Sequence, residues 1–545
     1  MATTQGRTQC FDAFLVALGQ ACEGGKKRWY TSTLELQLAS LDICRACREV
    51  SILHVRVDDR TPKRLWSPHK VYTRPNTRGW KIRQSSRVPV VRALRLTWDL
   101  PMEDLLRTAA IELWTSSEYL ELEGSLSAAS LGSVSWPRGL THLVLYSSFG
   151  IPIRDISWPM RLQRLAFGFF NQPIAGVMWP ASLQELSFGS CFNQSIAEVA
   201  WPTSLQRLSF GLKFNQPVVG ITWPMFLKQL SLGSGFNQPI AGVVWPASLQ
   251  ELSLGRVFNQ PIAGVMWPAS LQELPLGDFF NQPLAGVVWP ASLQQLSFGR
   301  MFNQPVVGVA WPLFLKRLLL GSGFNQPIAG VVWPASLQQL SFRVGFDQTI
   351  AGVAWPTCLQ RLKLGNFNQP LAGVVWPASL QQLSFGTRFN QPIAGVTWPA
   401  SLQQLLFGAR FNQSIAGVMW PSSLQELSFG AGFNQRMTGV VWPASLQKLS
   451  FGAGFNQPIA GVVWPASLQQ LSLGPRFNQP LAGVMWPVFL QELSFGSNFN
   501  QPIAGVVWPA SLQRLSFGAR FNQPIAGIVW PRSLQRVTRC GMSLL

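Results

Sequence analysis

The amino-acid sequence predicts a repeat solenoid: a mainly β array with one parallel sheet along its length, behind a small α-containing N-terminal region. Three observations carry that prediction. The dipeptide Trp-Pro recurs nineteen times between Trp136 and Trp530. Of the eighteen intervals, sixteen are 22 residues and two are 21. Finally, the 545 residues combine only 12% charged residues with 24 Trp, 47 Gly and 40 Pro. Low charge with high apolar content excludes bulk disorder. Pro at this density excludes long regular helices, since one Pro in a helix interior costs about 3 kcal/mol.

Each 22-residue unit explains itself in order when Trp is position one. In the unit starting at Trp508, Leu512, Leu515 and Phe517 occupy positions five, eight and ten, with Gln513, Arg514 and Ser516 between them. Positions seven to ten alternate out and in, the period-two signature of a half-buried strand. Gly518 follows at a turn, then Phe521, Asn522, Gln523 and Pro524. Pro524 has no amide donor, so the return path is neither a central strand nor the middle of a helix. A unit this short cannot bury its own apolar face, and stacking supplies the core: Leu on Leu, Phe on Phe, Trp on Trp. The recurrent Trp therefore reads as core. Asn at position fifteen is expected to point inward and form a ladder that satisfies backbone groups of neighbouring coils. On that ground the glycosylation patterns at Asn193 and Asn412 read as accidental. The unit 333–354 has Arg343 for the turn Gly and Asp347 for the Asn, and local distortion is expected there.

The string Leu-x-x-Leu-x-Phe-Gly-x-x-Phe-Asn-Gln-Pro-Ile, repeated over 136–545, resembles the FNIP repeat, a relative of the leucine-rich repeat. The resemblance implies a leucine-rich-repeat-like solenoid and an interaction surface. It also admits an F-box ahead of the array, the adaptor segment of ubiquitin ligases.

Comparing the units with one another shows where specificity could be written. Trp at one, Leu at five and eight, Phe at fourteen and Gly at twenty hardly change. Position seven does change, and positions twelve and thirteen vary further. Both 21-residue units have lost a residue there. A site that tolerates deletion and charge reversal lies outside the packed core. These positions should form one strip along the sheet face. The residues put forward for partner contact are Arg164, Glu185, Arg207, Glu251, Glu273, Arg317, Arg361, Glu426, Lys448, Glu492 and Arg514 at position seven. Lys213, Arg388, Arg410, Arg476 and Arg520 join them at position thirteen.

Ahead of the array, residues 1–59 read as a small helix-and-strand segment, with a helix ending near Arg48, a strand over 51–57 and a faint F-box likeness. Residues 60–90 read as a basic Arg/Pro/Ser-rich linker, and 91–135 as degenerate capping coils whose Leu94, Leu96, Leu120 and Leu122 echo the repeat strand. Of the formal net charge of +20, +9 falls in residues 1–90, from 16 Lys+Arg against 7 Asp+Glu. No apolar run is long enough to span a membrane, and the patch Phe11–Leu18, broken by Asp12, does not read as a secretory signal. Seven scattered cysteines argue against a disulfide framework and for a reducing, cytoplasmic or nuclear setting. Cys44 and Cys47 form a lone C-x-x-C, a weak zinc candidate without a second pair. The three His fit no triad, so neither catalysis nor a cofactor is expected.

The favoured function is a monomeric, non-catalytic protein-binding scaffold working through the strip. The alternatives are a substrate receptor docking a ubiquitin-ligase adaptor and nucleic-acid binding through the basic leader. The acids interrupting the strip disfavour nucleic acid there, because a phosphate-tracking groove needs an unbroken basic stripe.

Overall fold

The computed structural model describes residues 53–57, 70–73, 81–84, 93–98, 117–124, 136–146, 152–540 and 542–543. They belong to two units, Met1–Ser147 and Ser148–Leu545. In the first unit β1 (Leu53–Val57) falls within the strand expected over 51–57. β2 (Lys70–Thr73) and β3 (Lys81–Gln84) form an antiparallel pair inside the span that composition presents as a linker. β4 (Ala93–Trp98), β5 (Tyr119–Gly124) and β6 (His142–Leu145) follow. β1 pairs in parallel with β4, β4 with β5 and β5 with β6, so Leu94 faces Leu120 and Leu120 faces Leu143. The echo of the repeat in Leu94 and Leu120 is therefore structural. The helix expected before Arg48, the faint F-box likeness and Cys44 and Cys47 lie outside the described residues.

The second unit is a parallel β-solenoid. Eighteen strands, from β7 (Arg164–Phe167) to β24 (Arg536–Arg539), pair with their sequence neighbours. The register is one repeat, so Leu208 faces Leu230 and Leu230 faces Leu252. A two-residue strand, β25 (Met542–Ser543), adds antiparallel to β24 at the end. The described residues contain no helix.

Three turns make each coil three-sided. In the coil starting at Trp311 the Leu315 N–H donates to Pro312 O at 3.2 Å, Phe324 N–H to Gly321 O at 3.2 Å and Val331 N–H to Ile328 O at 3.3 Å. The corner residues are thus positions three–four, twelve–thirteen and nineteen–twenty. Gly330 sits in the last corner at φ +80°, the conformation that the third residue of a type II turn requires. Ser at position four ties one coil to the one before: Ser336 Oγ donates to Leu313 O at 2.7 Å and Leu315 O at 2.9 Å.

The interior is filled by positions five, eight, ten, fourteen, eighteen and twenty-one, as in Leu315, Leu318, Leu320, Phe324, Ile328 and Val331, all buried. The Phe at position fourteen makes an unbroken ring ladder from Phe170 to Phe521, with centroids 5.9–6.4 Å apart. Offset stacking of this kind contributes about 0.5–1.5 kcal/mol per pair beyond area burial.

The Asn ladder exists, but its side chains are not inward. Asn193 and Asn303 are half-buried and Asn412 is exposed, which removes burial as the reason to dismiss the pattern at Asn193 and Asn412. Asn303 Oδ1 accepts the Asn325 N–H at 2.9 Å and Gln326 Nε2 at 3.2 Å. The ladder needs only an acceptor, and so Asp347 passes it on: its carboxylate takes the Asn368 N–H at 2.7 Å. Arg343 is equally well accommodated. Phe346 N–H closes the turn on Arg343 O at 3.3 Å, and the side chain is exposed. Turn and ladder thus both persist in unit 333–354, where distortion was expected, because Arg343 keeps the backbone carbonyl that closes its own turn and Asp347 keeps the carboxylate that the next coil uses. Replacing Asn303 by Ala should cost about 1–2 kcal/mol, since one ladder N–H loses its acceptor. Asn303→Asp should stay within about 0.5 kcal/mol. Urea unfolding of both variants tests the pair; equal losses would mean that Oδ1 is not the ladder's working atom.

Candidate interaction surface

The strand fixes the candidate strip. Position eight turns into the core, so positions seven and nine on either side turn out. Position nine is mostly Ser, as in Ser209, Ser231 and Ser253. Between Glu426 and Thr538 the outward side chains of positions seven and nine line one shallow open depression. Between Phe188 and Asp278 a second depression runs from position nine to the corner at position twelve.

The candidates separate into two groups. At position seven four of the five acids are engaged by the coils beside them, Glu185 and Glu492 in salt bridges and Glu251 and Glu273 by neutral Gln side chains. Glu185 lies between Arg164 (Nε–Oε2 3.1 Å) and Arg207 (Nη1–Oε1 2.5 Å), and Glu492 pairs with Arg514 at 2.5 Å. Glu251 accepts from Gln229 Nε2 at 2.9 Å, and Glu273 accepts from Gln295. These pairs stand in solvent and each contributes little to stability, about 0–1 kcal/mol. Arg317, Arg361 and Lys448 are exposed and Glu426 half-buried; none has a carboxylate or ammonium partner among the described residues.

The corner at positions eleven to thirteen differs in sign. Lys213, Arg256, Arg300, Arg343, Arg388, Arg410, Arg476 and Arg520 lie along it, and Asp278 is its one acid. Asp278 is paired with Arg256 at 3.1 Å. Lys213, Arg388, Arg410, Arg476 and Arg520 are exposed with no acidic partner among the described residues. The strip is therefore a nearly neutral sheet face beside a basic rim. Sequence comparison gathered both groups but could not separate them, because the separation is set by where the turn leaves the sheet. It placed the Ser row at position nine on the outer side of the strand but left it out of the contact candidates, because it hardly varies.

A tryptophan platform for bases is not available. From Trp179 to Trp508 each indole N–H is buried without an acceptor, and neighbouring indoles stack on one another, as Trp311 on Trp333 at 5.9 Å. Among the described residues no group of His, Cys, Asp or Glu could hold a metal ion, and no helix is long and apolar enough to cross a membrane.

The sequence profile of the FNIP Repeat matches residues 170–213, 214–257, 258–301, 389–432, 433–476, 477–507 and 499–538. The chain belongs to the FNIP-repeat family. Comparison with curated proteins gives no match. Among solved structures this FNIP-repeat chain is similar to CroV588, described as a novel circular LRR protein, at 34% identity and TM-score 0.61, over 82% of this chain and 76% of that one. It is also similar, at 12% identity and TM-score 0.26, to an internalin (inlF) from Listeria monocytogenes, over 63% of this chain and 82% of that one. A third similarity is to a chain of the Toll–Spatzle complex of Drosophila, at 12% identity and TM-score 0.39, over 82% and 58%. The FNIP repeats thus build a leucine-rich-repeat-like fold.

Proposed function

We propose that this FNIP-repeat protein is a non-catalytic scaffold that binds a protein partner along the sheet face and its basic rim. The leucine-rich-repeat-like solenoid is consistent with an interaction scaffold. The observation that carries the reading is the row of exposed, variable side chains at position seven on an otherwise constant frame. Short strands hydrogen-bonded on both edges hold their outward side chains at fixed spacing, so a partner meets a preorganised surface and little ordering entropy is lost on binding. Arg317, Arg361 and Lys448 are among the exposed position-seven cations that form no salt bridge among the described residues; Arg317 and Arg361 stand between Gln neighbours, and Lys448 between Glu426 and Gln470. They are free to engage carboxylates on a partner, where charge sets specificity and association rate more than affinity.

Affinity capture with the full chain, against the variant Arg317→Glu, Arg361→Glu, Lys448→Glu, tests this. The expected result is a protein retained by the wild type and lost, by roughly tenfold or more, from the variant, with unchanged thermal unfolding. If every protein held by the wild type is held equally by the variant, the sheet face is not the binding surface.

A further inference from the structure

We propose that a different side of the coil, the flank running from position eighteen through Trp to position four, binds a second copy of this chain. Its chemistry is unlike that of the sheet face. From Trp179 to Val529 these positions carry a single charged residue, Glu198. Position twenty-two points outward, because its neighbours at twenty-one and one turn in. Of its seventeen occurrences between Met178 and Val529, twelve are Val or Met, and all twelve are 71–86% exposed. Six follow in consecutive coils: Met419, Val441, Val463, Met485, Val507 and Val529. Scattered exposed apolar residues need no explanation, but a contiguous patch of this extent marks a contact surface.

The row also covers the tryptophans. From Trp223 to Trp508, each Trp preceded by Val or Thr is buried and each preceded by Met or Ala is only half-buried. A β-branched residue thus goes with a covered indole, and Met or Ala with one whose apolar surface is partly open. Beside the row the flank is low: Gly483 and Gly505, and Gly505 and Gly527, border two small depressions between adjacent coils, both lined also by Trp508. The surface is a ridge with shallow troughs.

Two arguments name the occupant. Twelve exposed side chains at on the order of 100 Å² each offer about 1,200 Å², while a stable interface removes about 800 Å² from each partner. The second argument is pitch. Side chains on this ridge repeat once per coil, so an unrelated partner would have to match that period over many coils. A second copy matches it by construction, in either direction, and its ridge fits beside the first in the trough, as apolar faces of stacked sheets do. A two-fold contact of this kind also closes, limiting assembly to a dimer. The inference replaces the monomer expected from sequence and does not depend on the sheet face having a ligand.

The test is light scattering of the full chain at micromolar concentration, beside the variant Val441→Lys, Val463→Lys, Val507→Lys. These three side chains are exposed, so the substitutions leave the core intact, and matching thermal unfolding verifies that. The wild type is expected at twice the mass of one chain, and the variant at one, its self-affinity weaker by about 100-fold. The sheet-face variant Arg317→Glu, Arg361→Glu, Lys448→Glu should remain dimeric, which separates this inference from the scaffold proposal. A monomeric wild type, or a dimer that survives the three lysines, overturns it. So does a monomer that floats with phosphatidylcholine vesicles and loses that property in the lysine variant, since the flank would then be a lipid surface.

Discussion

Replacing Phe302 by Ala is expected to lower the unfolding free energy by about 3–5 kcal/mol. Phe302 is fully buried between Phe280 and Phe324, each at 6.1 Å, with Phe298 at 4.0 Å across the coil. Those rings are held by their own coils, so the hole cannot close by local collapse, and the cost lies toward the top of the range for large-to-small changes. The effect has a second signature. Coils contact only their neighbours, and stability in such an array is a sum of unit and interface contributions. A break at one interface should split the unfolding transition into two. Arg317→Ala, in the next coil, removes an exposed side chain without a salt-bridge partner and should change stability by less than about 0.5 kcal/mol. Chemical unfolding of the two variants compares them directly; equal shifts would sink the assignment of inside and outside positions.

That prediction centres on Phe, although the period in the sequence draws attention to Trp. Both recur once per coil, and recurrence alone ranks them equally. The structure separates them: Phe at fourteen lies at the middle of the coil, whereas Trp311 is half-buried under the flank. Alternation made the strand legible, since the residues at positions eight and ten, such as Leu515 and Phe517, stand beside polar ones, here Arg514 and Ser516, in most coils. It fails on the flank, where Val331, Val332, Trp333 and Pro334 are all apolar and only Val332 points out. A period-two signal needs contrast between inner and outer residues, and an apolar outer row erases it. The strip residues were legible for the opposite reason, because charge varies only where it is solvated. Their division into a neutral face and a basic rim was not, because it depends on the corner at twelve and thirteen.

Two rows of glycine look alike in the sequence and differ in cause, and Gly299→Ala should expose the difference. At Gly330 φ is +80° and a Cβ would meet nothing within 4 Å. An Ala there loses only the backbone preference, about 1–2 kcal/mol. Gly299 has no positive φ; its constraint is space. A Cβ would lie 2.1 Å from Gly277 O of the preceding coil, and Gly277 is confined in the same way, 1.9 Å from Gly255 O. The obstacle is backbone at the end of the strand ladder, so relief requires moving one coil against the next. The cost should reach the upper part of the overpacking range, about 3 kcal/mol. Arg343 marks the limit of that cost. A side chain is present at this position there, in a coil whose pairing with the preceding one continues to Leu320 opposite Phe342. The coil at Gly299 pairs with the preceding one through only three residues, ending with Pro275 opposite Ser297, and an Ala there would have to shift one coil against the other. Denaturant midpoints of Gly299→Ala and Gly330→Ala should therefore fall in that order, with Gly299→Ala the lower. The reverse order would show that turn geometry, rather than the approach of neighbouring coils, keeps the position after the strand without a side chain.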